Sequence, residues 1–175
     1  MFSTRDLALI AIMSALGGVV SVPIGWAGNL LRAVPAIPFG TGQILSGVHV
    51  LWIILAGLLV KHRGAAVTTG ALKGLVELSL FSFHGATILP IAVFEGLIAE
   101  TAFLVLGRGA GARSFLAGGL SASSNVILLW ILVFPNLPWE VIAFMWVLSF
   151  ASGATVAGYL GSRVSKIMEK RLGGQ

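Results

Sequence analysis

The sequence predicts an all-α polytopic membrane protein, a bundle of six transmembrane helices with both termini on the cytoplasmic side. Three observations predict it. Apolar residues fill 57% of the 175 positions and charged residues only 10%, against about 25% charged in an ordinary soluble domain. The apolar residues fall into six runs, each close to the roughly 17–25 residues that cross the hydrocarbon core. Almost all basic residues sit at alternate ends of those runs. So few charges cannot cover so much apolar surface in water. Barrel strands would be about half as long and would alternate apolar with polar residues.

The first run, 7–24, carries Ala8, Ala11, Ser14, Ala15, Gly17 and Gly18. Small residues let helices approach closely in lipid, where apolar burial supplies no drive. Five more runs follow and no cleavage pattern stands out, so this segment is expected to be retained and not removed as a signal. The second run, 44–60, and the third, 65–83, flank a short basic link, and Gly70 and Gly74 thin the third. The fourth, 86–106, follows a tight turn containing His84 and Gly85. The fifth, 115–134, ends at Pro135, Pro138 and Trp139, which suit an interface turn with an aromatic anchor. The sixth, 141–160, contains Gly153 and Gly158. The longest link, 25–43, includes Trp26, Asn29, Arg32, Pro35, Pro38 and Gly40, where helix is expected to break. Its apolar stretch 30–39 has two readings, a lid over the outer mouth and a linker lying in the interface.

The charges orient the bundle. Arg5, Lys61, Arg63, Arg108, Arg113, Arg163, Lys166, Lys170 and Arg171 fall on one side, nine of the eleven basic residues. Arg32 falls on the other side and Lys73 lies inside the third run. The positive-inside rule then makes both termini cytoplasmic, in a multi-pass protein of the plasma membrane. The formal charge of +5 does not indicate nucleic acid, because the charges punctuate apolar runs instead of forming a patch. Cysteine is absent, which excludes disulfide and thiolate chemistry.

Ionisable groups at membrane depth are costly and face a cavity or one another. Here they are Lys73, Glu77, Glu95 and Glu100, with His49 and His84 nearer the outer side. Lys73 and Glu77 are one helical turn apart, and Glu95 lies at the depth of Lys73, so Lys73–Glu95 and Lys73–Glu77 are competing pairs. Either choice leaves one carboxylate for a proton or for a cationic, amidine-like ligand. Glu77, the shallower acid, is the expected ligand group; the alternative is a network in which the acids and the lysine satisfy one another. Glu100 is deeper and on another face, which suits a structural or subunit contact. Asn125, beside Ser121, Ser123 and Ser124, either meets a ligand or cross-links helices. Trp52, Trp130 and Trp146 can stack on a flat ligand, against a default of anchoring or core filling. His84 and His49 with an acid match no recognised metal spacing, and no metal is assigned. The sequence contains no phosphate loop, serine elbow or His-Glu-x-x-His helix. It is therefore read as a non-enzyme that holds no cofactor, with any ATPase on a separate chain.

With these residues in view, the chain resembles the S-components, the substrate-capturing membrane subunits of energy-coupling factor transporters. The layout of six helices, cytoplasmic termini and a long first outer loop covers nearly the whole chain, so residues 1–175 read as a single transmembrane substrate-binding domain. Ala11-Ile-Met-Ser-Ala15 resembles the small-xxx-small motif by which this family docks its first helix on the shared coupling subunit. Trp52, Lys61-His-Arg-Gly-Ala-Ala66, Glu77 and Gly96-Leu-Ile-Ala-Glu100 resemble the branch for thiamine or its hydroxymethylpyrimidine precursor, formerly labelled a cobalt transporter permease. His62 stands where that branch often has a proline-containing turn. The resemblance implies capture of a small vitamin or precursor from outside, and partnership with a transmembrane coupling subunit and two ATPase subunits that use the ATP. The start Met1-Phe2-Ser3-Thr4 lacks the N-terminal histidine of the metal-specific members. The remaining alternatives are an S-component for another vitamin or for cobalt or nickel, a small membrane enzyme built on His84 or His49, and a structural membrane subunit.

Overall fold

The computed structural model describes residues 1–32, 34, 38, 40–82 and 85–172. Its helices are α1 (Thr4–Arg32), α2 (Ser46–Leu59), α3 (Ala65–Ser79), α4 (Ile88–Leu106), α5 (Ala112–Leu132), α6 (Trp139–Ser152) and α7 (Gly161–Leu172). Short 3-10 turns, Thr41–Leu45 and Gly85–Thr87, lead into α2 and α4, and a π-helical segment, Gly153–Leu160, joins α6 to α7 without a break. Five of the resulting rods are long and apolar enough to cross a membrane: Thr4–Leu31, Thr41–Leu59, Gly85–Leu106, Ala112–Leu132 and Trp139–Arg171. The remaining apolar run, the third at 65–83, folds as α3, whose 15 residues span about 22 Å at the α-helical rise.

Two boundaries differ from those expected. The first helix does not stop near residue 24 but passes through Pro23 to Arg32. In an apolar medium an unpaired backbone group is so costly that helix persists through proline when neighbours can accommodate it. The sixth helix continues past residue 160, so Arg163, Lys166, Lys170 and Arg171, expected in a tail, lie on α7. Of the lid or linker at 30–39, residues 30–32 lie on α1, and 33, 35–37 and 39 lie outside the described residues.

α2 is the central rod and packs against every other helix. Its Val50, Ile53, Ile54 and Ala56 are fully buried, so this run is apolar all round, as a central helix must be. α1, α3, α4, α5 and the α6–α7 rod surround it. Small residues set the closest approaches. A side chain at Gly118 on α5 would strike the carbonyl of Gly153 and the backbone of Gly158 on the π segment. Gly70 on α3 meets the Ala92 carbonyl and Gly96 on α4 in the same way.

The basic residues converge at one end of the bundle. Lys61 Nζ lies 3.2 Å from Glu169 Oε1, and the Met1 amine lies 3.4 Å from His62 Nε2. Arg108 pairs with Glu100 and donates to the carbonyls of Gly57 at 3.0 Å and Val60 at 2.6 Å. It thereby satisfies the carbonyls that the end of α2 leaves without helical partners. Glu100 in turn accepts from the Ala66 N–H at 3.1 Å. Glu100 is thus a structural clamp between α3 and α4, the role its depth suggested. Between α2 and α3 the chain turns at Gly64, whose φ of 88° suits glycine because it has no Cβ.

Candidate functional site

The end opposite the basic cluster holds a cavity of about 410 Å³. Its walls come from five places. The continuation of α1 supplies Ile24, Gly25, Gly28 and Asn29; the 3-10 turn and start of α2 supply Gln43, Ser46 and His49; the start of α4 is preceded by Thr87; and the end of α5 supplies Asn125, Leu129 and Leu132. Met145 from α6 closes one side and contacts Gly40. Gly40 has φ 91°, a left-handed turn that brings the chain onto Met145 without a side chain in the way. The extension of α1 past Pro23 and the glycines at 25 and 28 together create this space: the helix provides a wall and the missing side chains keep it open.

Asn125 is the polar residue at the deep side. Its Nδ2 donates to Glu95 Oε1 at 3.3 Å, while its Oδ1 is buried with no hydrogen-bond partner among the described residues. Glu95 is 2% exposed and does not line the cavity; it stands behind Asn125. A neighbouring hydroxyl ties the two helices in this register, and a second bonds within α5. Ser121 Oγ donates to the Glu95 carbonyl at 2.8 Å, and Ser124 Oγ to the Ser121 carbonyl at 2.7 Å.

A second polar group of residues lies in the core. Lys73 pairs with Glu77, and both side chains are fully buried, so of the two competing pairs the structure contains Lys73–Glu77. The expectation that Glu77 is reachable from outside is not met in this conformation. Its Oε2, the Ser21 hydroxyl on α1 and the Trp52 indole N–H on α2 are buried without partners among the described residues. Gly17 and Gly18 let α1 close over this group: a side chain at Gly17 would press on Trp52 and Lys73, and one at Gly18 on Val76.

The other candidates are dispersed. His49 lines the cavity. Trp130 and Trp146 are 42% and 37% exposed on the outside of the bundle, and Trp146 stacks on Phe150 with ring centroids 5.4 Å apart. His84 lies outside the described residues. Among those residues no group of three or more metal-ligating side chains occurs. Ala11 and Ala15 are exposed on the outer surface of α1, opposite the inward face of Ser14, whose hydroxyl donates to the Thr69 carbonyl at 3.2 Å.

Several lining residues escaped the sequence reading. Gln43, Ser46 and Met145 carry no motif. Ser46 is tied to α6, accepting from Ser149 Oγ at 2.9 Å, and the Gly47 N–H donates to Ser152 Oγ at 3.0 Å. Serines spaced by three within an apolar run were the available signal, since hydroxyls in such runs usually bridge helices.

Comparison with known proteins gives three matches. Residues 5–124 match the family described as the permease component of an ABC-type cobalt transport system. A protein of Bacillus subtilis (strain 168) whose name marks it as an HMP/thiamine permease, YkoE, is 26% identical over 169 residues, covering 94% of this chain and 83% of that one. A crystal structure of an S-component of an ECF transporter superposes with a TM-score of 0.87 at 23% identity, covering 98% of this chain and 87% of that chain.

Proposed function

Because this chain belongs to the ABC-type cobalt transport permease-component family and has the S-component fold, we propose that it captures thiamine or its hydroxymethylpyrimidine precursor from outside the cell for an energy-coupling factor importer. The observation that carries this reading is the cavity of about 410 Å³ at the end opposite the basic cluster. It falls in the range of small-molecule sites, about 300–1,000 Å³. Its lining is largely apolar with a few placed polar groups, the composition such sites use to bury a ring and orient it. The name of the Bacillus subtilis relative supports the substrate class.

In this reading the positive-inside rule places the basic end in the cytoplasm and the cavity mouth outward. Asn125 and His49 contact the guest. Asn125 offers Oδ1 to an N–H of the ring edge while Glu95, holding its Nδ2, fixes the amide orientation and supports a positive charge on the guest. Lys73, Glu77 and Trp52 lie beneath. The family description names cobalt, but among the described residues the wall presents one imidazole and no carboxylate, which fits an organic ring better than a divalent ion. Exposed Ala11 and Ala15 form the face for a transmembrane coupling subunit, through which two ATPase subunits supply the energy.

Titration of the detergent-solubilised protein with thiamine, hydroxymethylpyrimidine and Co²⁺, followed by calorimetry, tests the proposal. Saturable one-to-one binding of an aminopyrimidine is expected. Binding of Co²⁺ alone, or of none of the three by folded protein, would overturn it.

A further inference from the structure

A second concavity, of about 540 Å³, lies at the basic end, where the start of α1, the end of α2 and α7 meet. Leu9 and Leu59 form its apolar part. Arg5 and Asp6 lie one turn before Leu9, Lys61 lies just past α2, and Glu169 reaches in from α7. The site is amphipathic and its charges balance, two cations against two anions. Lys61 and Glu169 are 73% and 43% exposed, and exposed pairs of this kind exchange partners readily. Asp6 accepts from the Ser3 N–H at 2.9 Å, which places its carboxylate at the rim. A purely anionic headgroup would meet both acids here. A headgroup carrying a phosphate and a hydrogen-bonding ammonium complements all four charges.

We propose that this concavity binds a cytoplasmic-leaflet phospholipid with a zwitterionic primary-amine headgroup, its phosphate taken by Arg5 and Lys61, its ammonium by Asp6 and by Glu169 once the Lys61–Glu169 pair opens, and an acyl chain along Leu9 and Leu59. The level of the site supports this occupant. Arg5 and Lys61 mark the point where the apolar faces of α1 and α2 end, which is where headgroups sit and basic side chains reach them.

Native mass spectrometry of the full chain released from nanodiscs with equal fractions of phosphatidylethanolamine, phosphatidylglycerol and phosphatidylcholine tests the proposal. Phosphatidylethanolamine is expected to be retained preferentially over both, including phosphatidylcholine, whose quaternary ammonium has no N–H to give the acids. The double variant Arg5→Gln/Lys61→Gln should lower that retention about fivefold or more. Asp6→Asn/Glu169→Gln should move the preference to phosphatidylglycerol. Equal retention of the three lipids, or unchanged retention in folded Arg5→Gln/Lys61→Gln, overturns the proposal. If a variant does not fold, the preference of the wild-type protein decides alone.

Discussion

Asn125 on α5 donates to Glu95 on α4 across 3.3 Å, and this bond sets an acid one side chain behind the cavity wall. The amide lines the cavity and the carboxylate does not. Under the proposed function, a guest would meet an oriented neutral amide, whose acceptor is buried and without a partner among the described residues, with the negative charge held behind it. As a proposed binding site, this arrangement would select by hydrogen-bond geometry first and by charge second.

Asn125→Leu removes both the acceptor offered to a guest and the donor held by Glu95. Thiamine or hydroxymethylpyrimidine affinity should fall more than tenfold, over about 1.4 kcal/mol. Glu95→Gln keeps a hydrogen-bond partner for Asn125 but removes the charge, so the cationic ligand should lose more affinity than the neutral one. Calorimetric titration of both variants with both ligands checks this; equal losses for the two ligands would refute a role for the Glu95 charge.

Lys73→Met leaves the Glu77 carboxylate in the core without its cation. Breaking one side of a buried ion pair costs about 3–5 kcal/mol. The paired replacement Lys73→Met/Glu77→Leu should recover most of that loss, because neither desolvated charge remains. Thermal unfolding in detergent, read by tryptophan fluorescence, should order stability as wild type and double variant above the single variant.

Gly118→Val should destabilise the bundle by about 1–3 kcal/mol through overpacking, since its side chain would run into Gly153 and Gly158. Gly109→Ala is the control, as its Cβ would stand 3.6 Å from Arg113, an ordinary contact. The same unfolding measurement compares them.

Orientation can be measured directly because the chain contains no cysteine. With Asn136→Cys and Lys170→Cys made separately, a membrane-impermeant maleimide added to intact cells should label residue 136. Residue 170 should react only after permeabilisation. The opposite pattern would invert the topology and turn the cavity toward the cytoplasm.

Much of the architecture was legible along the chain. The apolar runs at 44–60, 86–106 and 115–134 became α2, α4 and α5 with shifts of a few residues at their ends, because helix in lipid is enforced locally by the need to pair every backbone group. The glycines and prolines of the 25–43 link misled the reading of where α1 ends for the same reason: such residues break helices in water, whereas α1 runs on through Gly25 and Gly28 to Arg32. Of the candidates chosen for polarity within apolar runs, Asn125 and His49 line the cavity. Trp130 and Trp146 were equally conspicuous, yet lie on the outside of the bundle, since an indole suits lipid interface and binding pocket alike.

Membrane embedding, the number of apolar runs and the end at which the cations gather follow from the order of residues alone. These are sums over local composition and survive any rotation of the helices. The tertiary structure decided that Lys73 takes Glu77 as its partner, that Glu95 is held by Asn125, and that glycines on the extended α1 open a cavity beside Met145. Those outcomes depend on the rotation and spacing of each helix against its neighbours. A turn of one residue swings a side chain by about 100°, and no periodicity along a uniformly apolar run records which way it faces.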